Sequence, residues 1–341
     1  MNKLFFYRLT TIALVLAFVV IILGAYTRLT HAGLGCPDWP GCYGQVTVPE
    51  TSQAIQEAKK LFPGAPLETR KAWNEMVHRY AAGLLGLMIL LINITALINY
   101  KRQRLIVLPG LLLLVVIGQA ALGMWTVTLK LLPLVVMGHL VGGFTLFILL
   151  GLLRLQLTEK FRYSIPYSAS YLYGSPALIG VFILIAQIIL GGWVSANYAG
   201  ISCVGFPKCN GVWWPVMHLK EALNFFAPIG ANYQGGLLES GARVTIQMMH
   251  RLGAVVTLLY LGWYSLWVWK TAKSRYLKHT GQIIFVLLLV QIGLGIINVT
   301  YMLPLWNALA HNAVAALLLL TLSQLTFNLL AKPKFESQSS F

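Results

Sequence analysis

Four histidines, His78, His139, His250 and His311, fall into two pairs whose members are 61 residues apart. An arginine directly follows the first member of each pair, giving His78-Arg79 and His250-Arg251. Neutral imidazole is a ligand for zinc, copper and iron alike, so residue type alone leaves the metal open. Glu75 stands three residues before His78 in EMVHR, whereas the matching position in QMMHR is the uncharged Gln247. A carboxylate beside one histidine pair only is a candidate proton acceptor confined to one site. The alternative is a first-turn carboxylate that stabilises a helix N-terminus. The chain's 4 cysteines form two Cys-x5-Cys pairs, Cys36 with Cys42 and Cys203 with Cys209.

Membrane spans are the elements that must position these groups. The chain of 341 residues is 58% hydrophobic and 10% charged, with mean hydropathy +0.74, too apolar for an ordinary soluble domain. Stretches long enough to cross about 30 Å of hydrocarbon as helices run over 9–27, 77–98, 105–127, 133–155, 176–196, 246–269, 281–300 and 304–330. With the N-terminus cytoplasmic, inner segments collect 14 of the 25 basic residues, among them Arg8, Arg102, Arg154, Arg162, Lys270, Lys278 and Lys334. The positive-inside rule then places both termini inside. Outer segments hold seven of the nine acidic residues, in two long loops over 28–76 and 197–245. The formal net charge of +16 therefore forms no single basic face, and nucleic-acid binding is excluded as the reading. The first apolar run continues into GAYTRLT without a small-residue cleavage pattern and is read as a retained helix.

The two halves of the chain match. GAYTRLTHAGLGCPDWPGC aligns with GGWVSANYAGISCVGFPKC at an offset of 167, and HRYAAGLLGL with HRLGAVVTLL at an offset of 172. IGQAALGMWTVT and VQIGLGIINVT correspond around Gln119 and Gln291, and His139 matches His311. Four spans per half is an even number, so both repeats enter the membrane from the same side, related by an axis near the membrane normal. The expected fold is all-α: eight transmembrane helices as two tandem-duplicated four-helix bundles, an N-terminal half over 1–165 and a C-terminal half over 166–341.

Each histidine lies within the first turns of a span that runs from outside to inside, so all four sit toward the outer face. An ionisable side chain in a span is costly unless paired or coordinated, although a bond to a neighbouring helix would also satisfy a lone histidine. Four at matched positions favour coordination. No cysteine or intramembrane carboxylate stands ready to complete a four-ligand zinc or copper site in either half, whereas two axial histidines complete the shell of an iron porphyrin. One haem per half is the expectation. Arg79 and Arg251 are placed to pair with haem propionates or to snorkel to water. Glycines in AAGLLG and GHLVGG would let a macrocycle or a neighbouring helix approach. His31, His218 and His279 fall in loops or at a helix end and receive no role.

Both cysteine pairs lie on the outer side, where an oxidising compartment favours disulfides. One structural disulfide per half is expected. Zinc competes, but the outer loops lack a second ligand pair at zinc-ribbon spacing. A thiol-exchange role is compatible and not required.

TRLT, GLGCPDWP, the ExxHR motif at 75–79 and the later His139, His250 and His311 resemble the haem A synthases, in particular bacterial members with cysteine pairs. The resemblance covers essentially the whole chain. It implies an oxidoreductase that converts the C8 methyl of haem O to the formyl group of haem A for cytochrome oxidases. It further implies substrate at His78 and His139, a haem b cofactor on His250 and His311, and Glu75 in the active half, accepting or relaying protons. The implied partners are haem O, the haem O synthase, an electron donor the sequence does not identify, and membrane lipid of a bacterial inner membrane. A homo-oligomer is compatible with such a chain. Because a bis-histidine iron has no open position, direct oxygen activation would require one ligand to leave. A dihaem b-type electron carrier fits the histidine spacing equally well but leaves the one-sided carboxylate unexplained. A haem transporter and a structural assembly protein of the oxidase are further alternatives.

Overall fold

The computed structural model describes residues 3–99, 103–158 and 167–330. Lys101, Arg102, Lys160, Arg162, Lys332 and Lys334, used above for orientation, and the junction at 165–166 lie outside the described residues. Among the described residues there are ten helices and no strand. They are α1 (Lys3–Leu29), α2 (Ser52–Leu61), α3 (Thr69–Asn99), α4 (Gln103–Thr128), α5 (Pro133–Leu157), α6 (Tyr167–Ala196), α7 (Leu219–Ala222), α8 (Ser240–Thr271), α9 (Arg275–Thr300) and α10 (Leu305–Leu330).

Eight of these helices are long and apolar enough to cross a membrane, in the order and number the apolar runs predict. All of them but α10 reach further than the runs at one end or both. Helix α3 begins at Thr69 rather than near 77, and α8 at Ser240 rather than 246. Hydropathy marks only the part of a helix that needs hydrocarbon, while backbone hydrogen bonding carries the polar turns TRKAWNEM and SGARVT on into the interface.

The cysteine-loop end of the bundle holds the C-termini of α1, α4, α6 and α9, and all four close alike. The Ala32 N–H bonds the Thr27 carbonyl at 2.9 Å, Leu131 the Thr126 carbonyl at 2.8 Å, Ala199 the Val194 carbonyl at 2.9 Å and Leu303 the Asn298 carbonyl at 2.8 Å. The residue before each donor, His31, Lys130, Tyr198 and Met302, is left-handed, with φ between 47° and 55°. This is the Schellman closure, here without the usual glycine.

Helices α1, α3, α4 and α5 pack as one group and α6, α8, α9 and α10 as another, with α1 and α5 meeting α10, and α5 meeting α6, at the seam. One apolar core runs through both groups, from Phe6 and Ile89 to Leu261 and Leu329. The stretch SQAIQEAKKL of the first long loop forms α2, capped by Thr51, whose hydroxyl accepts from the Ala54 N–H at 3.2 Å. Beyond its end, Phe62 sets its ring edge-on to Tyr43 at 5.7 Å, which seats the helix against the first cysteine loop.

Candidate functional site

Cys36 and Cys42 form one disulfide and Cys203 and Cys209 another, as expected. Each closes a short loop over the end of the bundle, and each loop is fastened by the arginine that follows a histidine. Arg79 donates to the carbonyls of Asp38 at 2.9 Å and Pro40 at 3.2 Å, and to that of Gly41. Arg251 donates to the carbonyl of Cys203 at 2.5 Å and to that of Lys208 at 3.3 Å. With 11% of its side chain exposed, Arg79 does not snorkel to water. Arg251 Nε is buried without a hydrogen-bond partner.

Because α3 starts at Thr69, Glu75 lies well inside the helix and faces inward. This rules out the first-turn role that its sequence position left open. The carboxylate is buried, 4% exposed, and held at both oxygens. Arg79 Nη2 donates to Oε1 at 2.5 Å, and the Cys36 N–H donates to Oε2 at 2.9 Å. The disulfide loop therefore positions the carboxylate. Gln247, at the matching position on α8, is also buried, and its Oε1 has no partner.

His78 on α3 and His139 on α5 face each other with ring centres 6.4 Å apart and planes at 86°. An imidazole nitrogen sits about 2.0–2.1 Å from a first-row transition metal and about 1.1 Å from its own ring centre, so two imidazoles on opposite sides of one metal have centres about 6.3 Å apart. The pair thus has the spacing of two trans axial ligands. Among the described residues no three His, Cys, Asp or Glu side chains converge as an ion-binding set, so the remaining coordination positions would fall to a macrocycle. His250 on α8 and His311 on α10 line the same cavity. Gln187 Nε2 lies 3.1 Å from His250 Nδ1, and Gln291 Nε2 lies 3.2 Å from His311 Nε2. The Nδ1 atoms of His78, His139 and His311 are buried with no hydrogen bond of good geometry.

A glycine lies against every one of these rings. A methyl group on Gly24 would stand 2.9 Å from Cε1 of His78, on Gly191 3.0 Å from that of His250, on Gly123 3.4 Å from that of His139 and on Gly295 3.2 Å from that of His311. Gly24 and Gly191 are matched at the offset of 167, and Gly123 and Gly295 at 172. The sequence singled out AAGLLG and GHLVGG, whose Gly83, Gly86 and Gly143 also line the cavity, but not these four glycines, because contacts between different helices leave no local periodicity. The available signal was that these glycines occupy equal positions in the aligned halves. Gln187, whose counterpart is Val20, gave no comparable signal.

Helices of both groups enclose one continuous cavity of about 2150 Å³ that contains all four histidines, Glu75 and both arginines. Single-ligand pockets measure about 300–1,000 Å³, so there is room for two large flat ligands. Glycine-lined rings in both pairs and the spacing of His78 and His139 fit haem. At the seam, Arg28 donates to the carbonyls of Ser195 and Ala196 and lies 3.8 Å above the Tyr198 ring. His31 stacks on the same ring at 5.6 Å. Partial burial, and then Arg28 and Lys71, hold the His31 imidazole below its ordinary pKa.

Fold and cavity together define the class: a multi-pass membrane protein with paired-histidine pockets sized for flat macrocycles. The chain belongs to the cytochrome oxidase assembly protein family, COX15-CtaA, which it matches over residues 7–323. It is 44% identical over 332 residues to the Heme A synthase of Shewanella oneidensis, covering 97% of this chain and 98% of that protein. It is 29% identical to the Heme A synthase of Beijerinckia indica over 89% of this chain and 87% of the relative, and 26% identical to that of a Chelativorans species over 90% and 86%.

Proposed function

We propose that the protein is a haem A synthase, an oxidoreductase that converts the C8 methyl of haem O to the formyl group of haem A for cytochrome oxidase assembly. The observation that carries this reading is the one-sided carboxylate. Two imidazoles stand 6.4 Å apart beside a buried Glu75, while the second pair has Gln247 in its place. His78 and His139, in the half spanning 1–165, would hold the substrate haem, and His250 and His311, in the half spanning 166–341, would hold haem b. Haem b held there would supply a one-electron relay. Oxidation of the methyl to the alcohol, and of the alcohol to the hydrated aldehyde, each takes one oxygen atom from water and releases two protons and two electrons, the electrons leaving singly to the electron-transfer partner as acceptor; the hydrated aldehyde then loses water to give the formyl group. Glu75 takes the proton released near the methyl, its oxygens oriented by Arg79 and the Cys36 N–H. The glycine-lined walls hold the rings in one orientation, and the closed disulfide loop limits water at the carboxylate. The unpartnered Arg251 Nε is the donor open to a propionate.

The membrane is the bacterial inner membrane, with both termini cytoplasmic and the haem sites toward the outer face. Arg8, Arg154, Lys270 and Lys273, at the end opposite the cysteine loops, support that orientation. Haem O arrives from its synthase, and an electron-transfer partner completes turnover.

The test is expression in a host that makes haem O but no haem A, followed by mass identification of the extracted haems. Formyl haem is the expected product. Unchanged haem O, with haem b bound and an electron partner supplied, would establish the dihaem electron carrier instead. The Glu75→Gln variant should keep both haems and form no formyl haem; full conversion by that variant removes Glu75 from the mechanism.

A further inference from the structure

The two halves differ in a second way, at the far end of the cavity. On α3 the cavity wall runs from His78 through Gly83 and Gly86 to Leu90, and on α4 from Gly123 through Ala120 to Leu113. Twelve residues of helix from His78 to Leu90 span about 18 Å at 1.5 Å per residue. On α8 the wall ends at Leu258, about 12 Å from His250 by the same rise, and on α9 it ends at Leu288. The first site is thus about one turn deeper.

Side-chain size explains the difference. The residues matched to Gly83, Gly86 and Ala120 are Val255, Leu258 and Ile292, and all six line the cavity. A methyl group on Gly83 would meet nothing within 4 Å, and one on Gly86 only Val116 at 4.0 Å. Lower down, Leu90 corresponds to the buried Gly262, where an added methyl would meet Leu288 at 3.9 Å. Helices α8 and α9 close there, and α3 and α4 do not.

The extra space is open on its outer side. Leu84, Leu87, Leu90 and Ile117 line the cavity and yet are 54%, 66%, 44% and 60% exposed. Of the cavity-lining residues on α8 and α9, only Val255 is exposed to a similar degree, among the described residues. A groove that begins at the His78–His139 pair, is lined by the apolar side chains Leu84, Leu87, Leu90, Leu113, Val116 and Ile117 and faces the acyl chains suits a ligand with a polar metal centre and a long apolar tail. Haem O and haem b differ in this respect, since haem O carries a hydroxyethylfarnesyl chain and haem b does not.

We propose that the groove between α3 and α4, bounded by Gly83, Gly86 and Ala120, holds the isoprenoid tail of the substrate haem and sets the first site's preference for a tailed over a tailless haem. The inference rests on the synthase reading for the identity of the tail. In the second half, Val255, Leu258 and Ile292 occupy the tail's path and leave room for the macrocycle alone.

The test is competitive binding of haem O and isotope-labelled iron protoporphyrin IX to purified full-length protein with unlabelled haem b in place, scored by extraction and mass, the label separating the competitor from the chemically identical resident haem b. Wild-type protein should prefer haem O at the first site. Importing the second half's residues (Gly83→Val, Gly86→Leu, Ala120→Ile) should reduce that preference on the order of tenfold or more, while iron protoporphyrin IX still binds with a bis-histidine spectrum. Gly83→Val alone, whose added carbons enter open space, should show a smaller loss in the same direction, and it decides the matter if the triple variant does not accumulate. Unchanged preference in these variants overturns the proposal. So does equal loss of both haems, which would put the macrocycle rather than the tail in the groove. A wild-type protein that prefers haem O and yet forms no formyl haem would overturn the synthase reading and leave the groove standing.

Discussion

An imidazole bound to a metal cannot turn away from a neighbour, and this gives the four glycines against the rings their weight. A free histidine would relieve a contact of 2.9 Å by rotating; one fixed by its metal must shift its bond or its helix. Overpacking of this kind costs about 1–3 kcal/mol, which is on the order of tenfold in occupancy. Gly24→Ala should therefore lower haem at the first site and spare haem b, and Gly191→Ala should do the reverse. Gly123→Ala, with 3.4 Å available, should be nearly silent. Haem extraction per protein, with reduced-minus-oxidised spectra, reads all three, and a Gly24→Ala protein as fully loaded as Gly123→Ala would show that the ring is not fixed at that contact. The histidines themselves were legible in the sequence because the repeat doubled them. The glycines were not singled out, because proximity across helices is a property of the packed bundle.

At the level of elements, the eight spans follow from apolar length, and only their polar ends escaped. Those ends matter, since Glu75 and Arg79 ride on the first two to three turns of α3, above the run that hydropathy detects. The two arginines were read as placed to pair with propionates or to snorkel to water, and the structure gives Arg79 Nη1 and both Nη atoms of Arg251 to carbonyls of the disulfide loops, an arrangement set by how those loops fold back. Each disulfide is thus tied to a helix by an equivalent arginine, but only the first also reaches a carboxylate. Closing a loop of this size is worth about 2 kcal/mol through the unfolded state. Cys36→Ser with Cys42→Ser and Cys203→Ser with Cys209→Ser should therefore lower thermal stability by similar amounts. Only the first double variant should also slow conversion, because the Cys36 N–H and the Arg79 carbonyl partners then lose their fixed positions. Equal slowing in both would detach the first loop from Glu75.

Across the whole molecule, two contacts join residues to their own repeat counterparts. Arg28 meets Ser195 and His31 meets Tyr198, and both pairs are separated by the offset of 167. In a symmetric interface a residue touches its own equivalent only on the two-fold axis, so the seam at the cysteine-loop end lies on the axis of the proposed two-half organisation. The matched left-handed residues, His31 at 54° with Tyr198 at 53° and Lys130 at 47° with Met302 at 55°, support the same organisation. An alignment supplies equivalence but not adjacency, and for that reason the seam was not legible while the repeat was. Arg28 departs from the symmetry in one respect, because the hydroxymethyl group of Ser195 is too short to return its reach. Its guanidinium combines charge-assisted bonds to carbonyls, worth about 1.5–3 kcal/mol, with a stacked ring worth about 1 kcal/mol, and it lines the cavity that both histidine pairs share. Arg28→Gln should therefore destabilise the protein by about 2 kcal/mol or more and lower the occupancy of both sites together, unlike either glycine variant. Arg28→Lys should restore the charge without the planar stack and recover only part of the loss. Loss of haem from one site alone in Arg28→Gln would mean that the arginine serves that pocket and not the seam.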